Sequence, residues 1–519
     1  MKGIVLDDVG LLLDEDDDVA TAIDDLEAGR TVSLADHPDA TVRRTGPVTL
    51  VRDVPFGHKV ALVPVEADEP VVKYGERIGR ATAAIAPGEW VHTHNCESTR
   101  GRGDLSGDRA GADASTPVDD EGDVDVAVTD AGGSLDAGSE VDWTTDTAVG
   151  DDDVDAAATF AGYRRPDGRL GVRNRVLVLP SVICSSVVAE SIAGRTDRAV
   201  AAPHDHGCGQ LGVDNAQTEA VLRGVAANPN VAGTLVVGLG CEEVQSDAVA
   251  GAVADRGLPV REVAIQDAGG TDACIEAGAT AARELAAHAD AATAADGSLG
   301  ELTLGIVGDL ADSTVERADP LVAGLVDRVV AAGGRVAVAG SERFVAHPGV
   351  TRSRATAEAR PAVEALVERH AGQPARARRV ATAAAERGPD AALGLLGDRP
   401  IREVVPYGEG VTVDSGVALV DAPSRFEEAA TALAAAGAHV VVHVTADGDP
   451  AGHPIVPVVK VSGDAATLAA LPDDVDVDAR RTDATDLARR LVAVADGESA
   501  AAERHGLASF AVTRVGPSM

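Results

Sequence analysis

The sequence predicts a small N-terminal β-rich domain followed by a large α/β region whose mostly parallel sheets are flanked by helices. Three observations carry this. Residues 1–96 hold short β-type runs broken by Gly, Pro and Asp. From about residue 158, apolar runs of strand length alternate with alanine-rich stretches of helical length. Between them, residues 97–157 are dominated by Gly, Asp, Ser and Thr. Short runs between turn residues suit a small antiparallel domain, whereas strands alternating with helices suit parallel sheets.

Taken in order, the β-type runs of the first region are ThrValSer (31–33), ValThrLeuVal (48–51) and LysValAlaLeuVal (59–63). Residues 97–157 read as an acidic linker, because such a composition buries too little apolar surface to offset the entropy of ordering. The large region divides into 158–298 and 299–519. Its expected buried strands are 175–180, 234–239, 302–307, 335–339, 439–444 and 457–461, with helices over 214–227, 272–290 and 318–332. No short-period repeat is present.

The chain has 519 residues, with 84 Asp plus Glu against 45 Lys plus Arg and a formal charge of −39. That excess repels phosphate backbones and anionic headgroups, so nucleic-acid and membrane-surface binding are not expected. Hydrophobic residues make up 45%, mainly Ala and Val, and aromatics 2%, which predicts a core of small side chains. No run reaches the roughly 18 apolar residues of a membrane span, and the N-terminus lacks a basic start and a cleavage site. Five scattered cysteines (Cys96, Cys184, Cys208, Cys241, Cys274) do not make a disulfide framework. A cytoplasmic protein with free thiols is the expectation.

Three constellations could carry chemistry. The first spans GlyHisLysValAla (57–61), LysTyrGlyGluArgIleGlyArgAla (73–81) and ValHisThrHisAsn (91–95). In an extended segment His92 and His94 share a face, where two imidazoles could hold a metal, or a metal and a substrate. Lys59 and Lys73 are two of only four lysines, which points to a need for an ammonium group as carboxylate anchor or base. The second is HisAspHisGlyCysGlyGln (204–210), expected at a strand's carboxyl end, where open α/β sheets bind ligands. The third is GlyLeuGlyCysGluGlu (238–243), echoed by SerValIleCysSerSer (181–186). There Cys241, Glu242 and Cys184 would sit at strand ends and helix starts suited to carboxylate ligands.

These residues resemble a known family. GHKVAL, VVKYGERIGRA and GEWVHTHN are similar to the N-terminal SAF-type (β-clip) domain of altronate and galactarate dehydratases. YRRPDGRLGVRNRVLVLPSVICSS, HDHGCGQ and ANPNVAGTLVVGLGCEE resemble the start of that family's large domain. Weaker similarities continue at 333–342, 421–431, 473–478 and 495–499, so the likeness omits little beyond 97–157. Acid-rich, lysine-poor composition also resembles that of halophilic archaeal proteins, whose acidic surfaces stay hydrated in molar salt.

The resemblance implies a metal-dependent hydro-lyase that converts a sugar acid, an aldonate or aldarate, to a 2-keto-3-deoxy acid. It implies His92, His94, Lys59 and Lys73 as catalytic groups and His92, His94, Cys241 and Glu242 as metal ligands. His58, Asn95, Cys184, Ser185, His206 and Cys208 would bind substrate. The metal would be Fe(II) or Mn(II), with Mg(II) or Ca(II) as alternatives, and a homodimer is the default assembly. This sequence departs from the family at 305–313, 388–400, 445–450 and 474–480. The departures leave open a substrate-shifted or non-catalytic paralogue that binds a sugar acid or an active homologue. A sulfolactate-type carbon–sulfur lyase is a further alternative.

Overall fold

A computed structural model describes residues 4–6, 10–12, 17–22, 25–32, 47–54, 58–73, 76–92, 94–98, 159–207, 210, 212–371 and 379–514. The linker expected over 97–157 therefore lies outside the described residues, except that Glu97 and Ser98 end a strand. The chain divides into two compact units, Met1–Thr147 and Ala148–Met519.

The N-terminal unit contains β1 (Ile4–Leu6), β2 (Gly10–Leu12), β3 (Val19–Ala22), β4 (Thr31–Val32), β5 (Val48–Thr49), β6 (Lys59–Ala61), β7 (Pro70–Lys73), β8 (Glu76–Ala81), β9 (Trp90–Val91) and β10 (Cys96–Ser98). They form a five-stranded sheet β1-β2-β3-β6-β9, a three-stranded sheet β10-β8-β7 and the pair β4-β5. All described pairings are antiparallel. Alternation along a strand lets one strand serve two cores. In β3 and β6, Ala20 and Val60 pack with Leu26, Leu50 and Val54, while Val19 and Ala61 pack with Val65, Val71 and Ile85.

The C-terminal unit contains β11 (Thr159–Arg164), β12 (Leu170–Gly171), β13 (Arg175–Pro180), β14 (Ala199–Ala201), β15 (Val231–Gly238), β16 (Val260–Ala264), β17 (Ala294–Ser298), β18 (Thr303–Gly308), β19 (Arg335–Val338), β20 (Ile401–Val405), β21 (Gly416–Val420), β22 (Val440–Val444), β23 (Val458–Ser462) and β24 (Val477–Asp478). A small antiparallel sheet runs β12-β11-β17. The two larger sheets, β14-β13-β15-β16 and β20-β21-β19-β18-β22-β23-β24, are parallel throughout. Buried parallel strands read as continuous apolar runs, and β15, β18, β21, β22 and β23 are buried along their whole length.

One core joins the two parallel sheets. It contains Leu177, Leu179 and Val236 from the first, Val307, Val441 and Val458 from the second, and helices Val213–Ala226 and Phe426–Ala435. The small side chains predicted by composition set that helix contact. A Cβ on Gly224 would lie 2.5 Å from the Gly408 carbonyl oxygen and 2.8 Å from the Ala435 Cβ. No helix of the described residues is long and apolar enough to cross a membrane.

Candidate functional site

In the N-terminal unit, β6 pairs with β9 in the register Lys59 to Val91 and Val60 to Trp90. Alternation puts His58 on the Trp90 face. The His58 ring is 5.0 Å from Trp90 and 5.2 Å from His92, while Trp90 is 5.0 Å from His92 and 5.7 Å from His94. Trp90 is thus the hub of three imidazoles, a role the sequence reasoning did not assign. His92 and His94 are exposed, His58 and Lys59 half-buried, and Lys73 is buried in β7.

The extended segment expected over 91–95 is corrected to a turn. The Asn95 and Cys96 N–H groups donate to the His92 carbonyl at 3.0 and 2.9 Å. The Asn95 side chain accepts from the His92 N–H at 2.9 Å and donates to the Trp90 carbonyl at 3.0 Å. Asn95, expected on substrate, is buried and braces this turn instead. The His92 and His94 rings still lie 6.3 Å apart. Among the described residues no three His, Cys, Asp or Glu side chains converge on a metal position. The His92–His94 pair suits Fe(II) or Mn(II) in donor chemistry and offers a partial ligand set.

In the C-terminal unit, β13 lies between β14 and β15, so the order of strands reverses beside it. Crevices outside the carboxyl ends of strands at such a reversal are where open α/β sheets bind ligands. Ser181 follows β13, and the Leu239–Glu242 loop follows β15. Glu242 does not project into the crevice as expected. Its Oε1 accepts from Ser181 Oγ (2.8 Å) and the Leu239 N–H (3.2 Å), and its Oε2 from the Gly240 (2.6 Å) and Cys241 (2.9 Å) N–H groups. Burial alone would raise its pKa, but these hydrogen bonds hold it below the usual glutamate value. Four donors fill the acceptor sites that a metal would need. Gly238 makes room for this seat, since a Cβ there would come 2.6 Å from Glu242 Oε1.

His204 and His206 are likewise absorbed by the fold. His204 Nε2 bonds the Pro180 carbonyl (2.8 Å), and its Nδ1 accepts from the His206 N–H (3.2 Å). His206 Nε2 bonds the Val512 carbonyl (2.7 Å), and its Nδ1 pairs with Gln210 Nε2 (3.1 Å). Burial lowers both pKa values, that of His204 to about 4, so both rings are neutral near pH 7. His206 could reach a substrate only by giving up one of these bonds. Ser185, also expected on substrate, is buried with its hydroxyl directed to the Val182 and Val237 carbonyls (2.9 and 2.7 Å). Cys184 and Cys241 are exposed at the two strand ends and remain open to ligands. Cys208 lies outside the described residues. Neither unit by itself gathers His92, His94, Cys241 and Glu242 around one point.

The second parallel sheet reverses between β18 and β22, and the sequence reasoning missed the polar group gathered there. Asp309, just after β18, accepts from Thr314 Oγ1 (2.6 Å) and the Ala446 N–H (2.7 Å). His443 and Lys460 are direct partners across β22 and β23, and the Phe426 ring lies 4.3 Å from His443. Both side chains are buried, and among the described residues neither His443 Nδ1 nor Lys460 Nζ has a hydrogen-bond partner. Burial lowers both pKa values, to about 3 for His443, while Asp474, Asp476 and Asp449 oppose the shift at Lys460. The available signal was that Lys460 is one of four lysines, yet it stands inside an apolar strand. Lys460→Met is expected to leave the urea midpoint unchanged or raised, because an orphaned buried ammonium costs more than the roughly 1–3 kcal/mol of an unpaired neutral polar group. A loss of stability would show that the ammonium is bonded within the fold.

Comparison with known proteins supports one family along both units. Residues 9–99 match the altronate/galactarate dehydratase SAF domain, 162–290 the second domain of D-galactarate dehydratase/altronate hydrolase, and 392–518 the D-galactarate/altronate dehydratase C-terminal domain. Altronate dehydratase of Bacillus subtilis is 28% identical over 457 residues, covering 82% of this chain and 83% of that protein. Altronate dehydratase of Escherichia coli is 28% identical over 494 residues, covering 89% and 88%. The (2R)-sulfolactate sulfo-lyase subunit beta of Chromohalobacter salexigens is 27% identical over 384 residues, covering 69% of this chain and 97% of that one. With its SAF domain, second domain and C-terminal domain in that order, the chain belongs to the altronate/galactarate dehydratase family.

Proposed function

We propose that this protein is a sugar-acid hydro-lyase, which removes water from a 2,3-dihydroxy carboxylate of the aldonate or aldarate class and releases a 2-keto-3-deoxy acid. The observation that carries this reading is the match of all three family domains in order, together with the likeness to two altronate dehydratases over 82% and 89% of this chain. The chemistry needs a base for the α-proton, an acid for the departing β-hydroxyl and an anchor for the carboxylate. His92 and His94, exposed on one turn, are suited to proton transfer or to holding a divalent cation. Such a cation, Fe(II) or Mn(II) in this proposal, would supply Lewis acidity toward the substrate carboxylate and α-hydroxyl. Lys59 supplies an ammonium for the carboxylate, with His58 beside it.

The test is a dehydration assay on aldonates and aldarates, with separate additions of Fe(II), Mn(II) and Mg(II) and trapping of the keto product. A 2-keto-3-deoxy product from one of these acids is expected. His94→Ala is expected to lower turnover by about 100-fold or more, or to strip the metal, with the circular dichroism spectrum unchanged. Wild-type turnover and metal content in this variant would remove His94 from the site. Folded, metal-free protein that forms no product from any of these acids would favour the non-catalytic paralogue. The likeness to a sulfolactate sulfo-lyase subunit favours a second reading, carbon–sulfur cleavage. Sulfite release from sulfolactate without dehydration of sugar acids would select it.

A further inference from the structure

The C-terminal unit has a cavity of about 360 Å³ between helix Val213–Ala226, the loop around Gly408 and the end of helix Phe426–Ala435. Three arginines line it, Arg169, Arg223 and Arg256. In a chain of charge −39 such a convergence of guanidinium groups is a local concentration of positive charge. Glu219 and Glu409 line it too, so the arginines outnumber the carboxylates by one.

Helix carboxyl ends face this cavity, and their partial negative charge would by itself repel an anion. Three of the carbonyls at these ends are already hydrogen-bonded. The Ala227 carbonyl accepts from Arg169 Nη2 (2.7 Å), Ala434 from Asn228 Nδ2 (2.7 Å), and Ala436 from the Val411 N–H (3.2 Å). Arg169 is further fixed by Asp167, whose Oδ2 accepts from Arg169 Nε at 2.8 Å. Arg223 pairs with Glu219, yet its Nε is buried without a hydrogen-bond partner among the described residues. Arg256 is exposed, and among the described residues it has no carboxylate partner.

We propose that this cavity binds a small multivalent oxyanion, a phosphate or a polycarboxylate. Guanidinium groups present several N–H donors in a planar fork that matches such oxygens. Gly410 and Gly437 also line the cavity, and a Cβ on either would meet nothing within 4 Å, so their backbone is open to a ligand. The volume falls in the range of small-ligand pockets, roughly 300–1,000 Å³. The lining runs along helix Val213–Ala226 from Ala216 to Gly224 and includes none of the residues assigned above to sugar-acid chemistry.

Titration calorimetry of the full chain with inorganic phosphate and, separately, citrate tests this. Saturable binding of at least one probe is expected, weakened at least tenfold by Arg256→Ala and by Arg223→Ala. Arg261→Ala, which removes an exposed arginine on β16, is expected to bind like wild type. Binding of phosphate alone would assign a phosphate-type ligand, and binding of citrate alone a polycarboxylate. Absence of saturable binding by both probes, or equal affinity in wild type, Arg256→Ala and Arg223→Ala, would overturn the proposal. Neither result depends on whether the chain dehydrates sugar acids.

Discussion

Glu242→Gln is expected to lower the stability of the C-terminal unit by about 3 kcal/mol, read as a fall in the urea midpoint, and to abolish whatever activity depends on the strand-end loop. The carboxylate accepts four hydrogen bonds, three of them from consecutive backbone N–H groups at Leu239, Gly240 and Cys241. A glutamine keeps the shape but turns one acceptor into an NH2 donor. That donor would face the Gly240 and Cys241 N–H groups if the side chain kept its place. Each buried donor left without an acceptor costs about 1–3 kcal/mol. The pH dependence has a definite sign. Because hydrogen bonding holds the folded pKa below the ordinary 4.5, the charged form contributes stability above that value and loses it as pH falls through the folded pKa. The gap between wild type and Glu242→Gln is therefore expected to close below pH 4.5. Were Glu242 a metal ligand, the variant would lose metal at an unchanged urea midpoint. That outcome would restore the assignment made from the sequence.

The difference between these two roles marks what the sequence could disclose. The apolar run 175–180 is the observed strand β13 to the residue, and the helix expected over 272–290 begins one residue earlier, at Thr271. Such elements are legible because fully buried parallel strands and long alanine-rich helices impose their period on every residue. The strands passed over include β16 (ValArgGluValAla) and β20 (IleArgGluValVal), which carry charges because each is the outer strand of its sheet. Site residues follow a different logic. That chemistry gathers at strand ends was readable from HisAspHisGlyCysGlyGln and GlyLeuGlyCysGluGlu. Which way a side chain turns there was not. Glu242 and Asn95 fold back on neighbouring backbone groups, an orientation that residue type alone does not specify. The pairing of His443 with Lys460 depends on the register of two strands separated by a loop. Lys460 was visible as a rarity, but its burial against His443 belongs to tertiary structure alone.

Arg343→Met is expected to cost about 3–5 kcal/mol at neutral pH, the typical result of breaking a buried ion pair from one side. Arg343 and Asp319 are 2% and 1% exposed, so a lone Asp319 carboxylate would have no access to water. The pair is imperfect even when intact. Arg343 Nη2 bonds Asp319 and the Ala391 carbonyl (2.9 Å), while Arg343 Nε, Arg343 Nη1 and Asp319 Oδ1 have no hydrogen-bond partner among the described residues. Burial accordingly outweighs the arginine and lifts the Asp319 pKa from 3.8 to about 6. A raised carboxyl pKa means that the folded state prefers the protonated form. This contribution to stability is present at low pH and falls as pH rises from 3.8 to about 6. Relative to Asp319→Asn, wild type should therefore lose about 1 kcal/mol between pH 5 and pH 7. The cost of Arg343→Met should be smaller at pH 5 than at pH 7, since the stranded carboxyl can take up a proton. Adding Asp319→Asn to Arg343→Met should recover most of the loss at pH 7, because no buried charge remains. A pH-independent cost in the single variant, or no recovery in the double variant, would mean that Arg343 acts by packing alone. Equal costs at both pH values would also place the Asp319 charge within reach of solvent.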